Sequence, residues 1–197
     1  IDEAKDTFEF IENQWFDVGG WDIRKALRLL RKSNATLLEW LCSPMVYTQD
    51  DNFTGRLNAL APQYVQAAAL LHHYRGIAGN ALRNMDLAQP VKLKKWFYVL
   101  RPLLAARWAV KQGGIPPMTL VELMNEWQTD CATQITDLVA LKAGQDESYL
   151  HTLSPELQKL TVNLYNEVSA LSAPAAEPAD SGPLNELFRS TLATIYP

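Results

Sequence analysis

Three polar side chains, Lys94, Tyr98 and Arg101, recur at i, i+4 and i+7 in an otherwise apolar stretch, residues 91–112. At about 100° per residue, these positions fall within roughly 60° of one another on a helix. Pro102 has no N–H for the carbonyl of Tyr98, so the pattern also predicts a kink and an oxygen without its helical donor. One interpretation of this polar strip is an anion site, although the helical pattern alone does not favour it. The alternative is the solvated side of a core helix.

Asp17 is a candidate metal ligand. It lies in an apolar strand pattern directly before Gly19-Gly20, which we expect to form a turn. A carboxylate on a rigid strand end suits a hard cation such as Mg²⁺, but one carboxylate does not make a metal site. An ordinary turn aspartate is therefore the alternative. Phosphate-loop, dinucleotide-binding and serine-hydrolase motifs are absent from the sequence, as is metal-ligand spacing of His or Cys.

Charge is distributed unevenly along the chain. Residues 22–111 hold 14 basic residues (Lys and Arg) and 5 acidic residues (Asp and Glu). Residues 1–21 hold 1 basic and 6 acidic residues, and residues 112–197 hold 3 basic and 11 acidic residues. A basic middle is typical of a site for phosphate or another polyanion. The acidic ends could equally dock on the basic middle of the same chain.

Apolar runs in the sequence are shorter than the roughly 20 residues of a membrane span, and the acidic start lacks a signal-peptide pattern. We therefore predict a soluble, cytoplasmic protein without a membrane partner. Cys42 and Cys131 both fall in helical apolar patterns, which predicts two buried free thiols.

The elements that must position these side chains are mostly helices. Alternation over residues 7–18 predicts one or two strands that turn at residues 12–14, and strands should be scarce afterwards. The predicted fold class is mainly α, a helical bundle preceded by one or two short strands. Helices are predicted over residues 23–32, 36–41, 52–60, 62–84 (loosened near Gly76 and Gly79), 91–112, 119–128, 132–143, 155–171 and 184–195.

Three segments carry a family resemblance. They are GGWDIRKALRLLRKSNATLLEWLCSPMVY at 19–47, AAALLHHYRGIAGN at 67–80 and KLKKWFYVLRPLLAARWAVKQGGIPPM at 92–118. Together they resemble the bacterial and phage nucleotidyltransferases of the DNA polymerase beta superfamily known as RNA repair pathway polymerase-beta-like proteins. The resemblance covers about residues 15–170.

The resemblance implies Mg²⁺-dependent transfer of a nucleoside monophosphate from a nucleoside triphosphate (NTP). Members are expected to carry a G-S motif and a D-S-D-x-D motif in a small α/β domain, and this sequence has neither. It is thus expected to be a carboxyl-terminal region that is inactive alone. Asp17 matches the superfamily's third carboxylate, catalytic and metal-binding. Nucleotide or phosphate contacts are expected from Lys94, Lys95, Tyr98, Arg101, Arg24 and Lys25.

The same resemblance suggests how the chain is divided. Residues 1–20 would be the last strand of the catalytic domain, 21–171 a helical nucleotide or substrate domain, 172–183 a linker and 184–197 a terminal helix. Candidate acceptors include RNA and transfer RNA. The alternative function is a non-catalytic helical module that binds RNA or a protein partner through the basic face.

Overall fold

A two-stranded antiparallel sheet begins the chain. The computed structural model describes residues 5–13, 16–174, 177 and 179–195. Strand β1 (Thr7–Asn13) pairs with β2 (Phe16–Trp21), and Ile11 lies opposite Asp17. Gln14, the last residue of the predicted turn, and Trp15 lie outside the described residues.

The predicted turn at Gly19-Gly20 is wrong, because both glycines continue β2. Gly20 pairs with Phe8 on β1, and a Cβ at Gly20 would lie 2.0 Å from Cζ of the Phe8 ring. The missing side chain thus admits an aromatic ring from the neighbouring strand, a role that glycine can have inside a sheet. Asp17 is consequently the second residue of β2 and does not end the strand.

The rest of the described chain is mainly helical, which confirms the predicted fold class. After the hairpin, the helices are α1 (Ile23–Arg31), α2 (Ala35–Leu41), α3 (Asp51–Leu60), α4 (Ala67–Arg83), α5 (Leu93–Lys111), α6 (Leu120–Asn125), α7 (Ala132–Ala143), α8 (Pro155–Ala170) and α9 (Gly182–Ile195). A 3₁₀ turn covers Ala61–Tyr64, and the short strands β3 (Val91–Lys92) and β4 (Leu150–His151) pair antiparallel.

Helix starts follow the side chains that can cap them. Asp22 accepts from the N–H of Arg24 at the start of α1, and Asn34 accepts from that of Leu37 at the start of α2. Such caps satisfy N–H groups that have no partner within the helix. Asp and Asn are among the residue types that favour the N-cap position, so both helix starts follow from the local sequence.

The predicted helix over residues 62–84 is wrong in two respects. Its first turn is the separate 3₁₀ turn, which contains Pro62, and α4 then runs without a break through Gly76 and Gly79. Gly79 faces α8, where the Tyr165 hydroxyl lies 3.5 Å from the position of a Cβ. A Cβ at this position would make only an ordinary van der Waals contact, so neither glycine interrupts the helix and packing does not require Gly79. Similarly, α6 ends at Asn125, three residues before the predicted end at Gln128.

The described residues belong to two compact units. One comprises the described parts of 1–66 and 176–197, and the other comprises those of 67–175. In the second unit, α5 packs against α4 and α8, and its buried residues include Trp96, Leu100 and Leu103. Helix α5 is thus buried on most sides. The four-part division predicted from the sequence stays a prediction.

Cys131 is buried, as predicted, whereas Cys42 is exposed. Cys42 is the residue directly after α2, so it does not share the buried side of that helix. Among the described helices, none is both long enough and apolar enough to cross a membrane.

Candidate functional site

The polar strip of α5 lies on a cavity of about 260 Å³ in the second unit. Lys94, Tyr98 and Arg101 all line this cavity, as their helical spacing predicted. The opposite side of α5 is buried in the core, where the indole N–H of Trp96 donates to the Thr161 hydroxyl of α8 at 3.0 Å. Because the core fixes α5 from behind, the three polar side chains have a rigid support.

Three apolar side chains and one further cation complete the lining. Phe97 comes from α5 itself, Leu120 from the start of α6, and Val139 and Lys142 from one face of α7. The cavity therefore combines an apolar floor with three cationic side chains, Lys94, Arg101 and Lys142. This combination suits a ligand with a flat apolar part and a separate negative charge.

Lys94 is held by an acidic neighbour. Its ammonium donates to the carboxylate of Glu147 and lies 6.0 Å from the centroid of the Tyr98 ring. The hydrogen bond with Glu147 raises the pKa of Lys94, and the same bond lowers the pKa of Glu147. Lys142 lowers the pKa of Glu147 further by its charge. Glu147 is thus an internal anion that competes with any ligand for these two lysines.

Arg101 connects the cavity to the segment that precedes α6. Its Nε donates to the carbonyl of Met118 at 3.0 Å, and its Nη2 lies 3.7 Å from the Met118 sulfur. Gly113 and Gly114 begin this segment with φ of 76° and 75°, a left-handed conformation that glycine adopts without strain. Arg101 therefore has a structural contact besides its place on the cavity wall.

The other predicted contact residues lie elsewhere. Lys95 is exposed on α5 and is not among the cavity-lining residues, because one residue turns the helix by about 100°. Arg24 and Lys25 belong to the first unit, where Arg24 pairs with Asp22 at 3.0 Å and Lys25 pairs with Asp6 at 2.9 Å. Their role in nucleotide contact stays a prediction.

Asp17 is exposed on β2. The part of the chain that the structure describes has no group of three or more His, Cys, Asp or Glu side chains that could hold a metal ion. Asp17 by itself is one oxygen ligand, so these residues alone do not form a Mg²⁺ site.

Sequence reasoning missed Lys142 and Glu147. Lys142 follows Val139 by three residues, so the sequence places both on one face of α7. That spacing could have indicated a shared surface. Nothing in the pattern of α7, however, shows that this face meets the polar strip of α5, because the pairing is a tertiary contact.

Comparisons with known proteins agree with the resemblance seen in the sequence. The model of RlaP, the RNA repair pathway DNA polymerase beta family, matches residues 1–190. A Bacillus subtilis (strain 168) protein named "Uncharacterized protein YcgL" is 41% identical over 126 residues, which are 64% of this chain and 48% of that protein. The chain therefore spans about half the length of this curated relative. No solved structure matches. The chain belongs to the RNA repair pathway DNA polymerase beta family.

Proposed function

We propose that this member of the family is the helical part of a nucleotidyltransferase that moves a nucleoside monophosphate from an NTP to an acceptor. Family membership suggests a nucleotidyltransferase-like function at the level of the family. In this chain, the observation that supports the proposal is the cavity between α5 and α7, which three cationic and three apolar side chains line.

Nucleotidyl transfer demands charge neutralisation more than it demands reactive side chains. Attack on the α-phosphate leaves negative charge on the pyrophosphate leaving group, and fixed cations stabilise that charge best in a site supported by a rigid core. In the proposed complex, Lys94, Arg101 and Lys142 contact the phosphates. Phe97, Leu120 and Val139 contact the base, whose faces are apolar.

The metal of this reaction would need ligands beyond the described residues. In the proposal, Mg²⁺ neutralises phosphate charge. Asp17 would contribute one carboxylate, and the paired carboxylates expected of the family would have to come from a D-x-D motif outside this sequence. Accordingly, we expect the chain to be inactive in isolation.

Transfer of a labelled nucleotide tests the proposal. The protein encoded by the whole gene would be incubated with Mg²⁺, each α-labelled NTP, and RNA, transfer RNA or protein acceptors. We expect label on one class of acceptor, and Asp17→Asn should lower the rate at least a hundredfold if Asp17 holds the metal. Glu9→Gln, which alters another exposed carboxylate of the same hairpin, should leave the rate unchanged. Failure of every NTP to label any acceptor would contradict the proposal.

A second candidate function is binding of RNA through the basic face without catalysis. The observation that favours it is the excess of Lys and Arg in residues 22–111, 14 against 5 acidic residues. Binding to a phosphate backbone weakens linearly in the logarithm of salt concentration because counterions are released. An RNA affinity that stays constant from low to physiological salt would contradict this candidate.

A further inference from the structure

Helix α1 presents a second set of cations that the proposed active cavity does not use. Arg24, Arg28 and Arg31 recur at i, i+4 and i+7 and are all exposed. At 1.5 Å per residue, their Cα atoms span about 10 Å along one face of the helix. Like charges at this spacing repel one another, so the row lowers helix stability unless an anion binds to it.

These arginines form one wall of a cleft of about 330 Å³ in the first unit. The opposite wall consists of Ser181, directly before α9, and the beginning of α9, which contributes Asn185 and Phe188. Leu184 is buried beneath them and anchors α9. Two hydrogen bonds also hold the residues directly before α9. Arg31 Nε donates to the carbonyl of Ala179 at 3.0 Å, and the Tyr64 hydroxyl donates to the carbonyl of Asp180 at 2.8 Å.

Carboxylates near the cleft offset part of its positive charge. Asp6 pairs with Lys25 at 2.9 Å, and the charge of Arg28 also lowers the pKa of Asp6. Asp22 pairs with Arg24, and the carboxylate of Asp180 accepts from the backbone N–H of Gly182 at 3.0 Å. Within the described parts of the chain, neither Arg28 nor Arg31 forms an ion pair with a carboxylate. Asn185 and Ser181 add neutral hydrogen-bonding groups opposite the arginines.

We infer that this cleft binds a ligand that carries at least two phosphate groups. Guanidinium groups match phosphate oxygens with paired N–H donors, and three of them along about 10 Å of helix can contact successive phosphates. Phe188 offers an aromatic face beside the row, on which a base can stack. The ligand is either a free polyphosphate or nucleoside triphosphate, or the phosphodiester backbone of a polynucleotide. The inference gives α9 a function and does not depend on the proposed transferase activity.

Titration in a Lys142→Gln background tests the cleft separately from the α5 cavity. The probes are tripolyphosphate, a single-stranded oligouridylate without terminal phosphates, and heptaglutamate. Added to this background, Arg28→Gln should weaken binding of at least one phosphate probe about tenfold or more, the effect of a lost hydrogen bond to a charged group. Asn185→Asp, which places a negative charge in the opposite wall, should weaken it too. Lys32→Gln, which removes an exposed cation directly after α1 and outside the cleft, should leave affinity unchanged.

The relative affinities identify the source of the phosphates. Tighter binding of tripolyphosphate than of oligouridylate assigns the cleft to a free polyphosphate, and the reverse order assigns it to a polynucleotide. Equal losses from Arg28→Gln and Lys32→Gln would overturn the inference, since they would mean attraction by net charge alone. It would also be overturned by undetectable binding of both phosphate probes, by an unchanged affinity in Asn185→Asp, or by equally tight binding of heptaglutamate.

Discussion

At the scale of single residues, the contact between Trp96 and Thr161 joins two polar groups inside the core. Both residues are fully buried, and the Thr161 hydroxyl accepts from the indole at 3.0 Å while it donates to the carbonyl of Leu157 at 2.7 Å. Thr161→Val would leave the indole N–H buried without an acceptor. We expect a loss of about 1–3 kcal/mol in the free energy of unfolding, the usual cost of such a group.

The matched control is Thr136→Val on α7. This threonine is exposed, and its hydroxyl makes the same bond to the carbonyl four residues earlier, that of Ala132 at 3.0 Å. Both variants replace a threonine hydroxyl by a methyl group. The difference between their losses in the free energy of unfolding, measured with urea, therefore reports the cost of the buried indole N–H. Equal losses in the two variants would show that the indole N–H finds another acceptor.

A second prediction at this scale concerns Glu167 of α8. It accepts from Arg107 at 3.0 Å and from Lys111 at 2.6 Å. Burial raises the pKa of Glu167, but the hydrogen bonds with Lys111 and Arg107 outweigh burial and lower it below the ordinary value of 4.5. A lowered pKa in the folded state means that the ion pairs stabilise the fold above pH 4.5 and that this contribution is lost as the pH falls through the folded-state pKa.

Glu167→Gln should therefore destabilise the protein by about 1 kcal/mol at pH 7, a small value because the side chains are partly exposed. The difference from wild type should shrink as the pH falls below 4.5, which thermal unfolding across pH 3–7 would measure. Asp137→Asn, at an exposed position of α7, serves as the control for a change in net charge. A difference that is the same at every pH would be inconsistent with these ion pairs.

At the scale of elements, two glycines in the second unit predict opposite effects of adding a methyl group. Gly113 has a φ of 76°, so Gly113→Ala should cost about 1–2 kcal/mol of stability. Gly76 lies inside α4 with no atom within 4 Å of an added Cβ, so Gly76→Ala should stabilise by about 0.5–1 kcal/mol. Chemical denaturation measures both. A stabilising Gly113→Ala would be incompatible with the left-handed end of α5.

The elements also show what could be predicted from sequence. The spacing of apolar residues predicted α5, its buried side and the shared face of Lys94, Tyr98 and Arg101, because helical periodicity is a local property. The Gly19-Gly20 turn was wrong because both glycines pair with β1, and the space that the Phe8 ring occupies at Gly20 is likewise a contact between strands. Lys142 and Glu147 were missed for the same reason: their place beside α5 depends on tertiary packing.

At the scale of the whole molecule, the proposed nucleotidyl transfer requires that the α5 cavity recognise triphosphate. Lys142 is exposed on the cavity wall, so its loss should not disturb the fold. Glu147 pairs with Lys94, and its side chain is 81% exposed. Glu147→Gln should therefore leave the Lys94 ammonium available to the ligand. The two substitutions therefore predict opposite changes in affinity at one site.

The decisive measurement is a calorimetric titration of each of the four NTPs without divalent cations into wild type, Lys142→Gln, Glu147→Gln and Lys159→Gln. For at least one NTP, Lys142→Gln should weaken binding about tenfold or more, and Glu147→Gln should strengthen it. Lys159→Gln, at an exposed position of α8, should leave it unchanged. Equal effects of Lys142→Gln and Lys159→Gln on every NTP, or a weaker affinity in Glu147→Gln, would contradict the assignment of this cavity to the triphosphate.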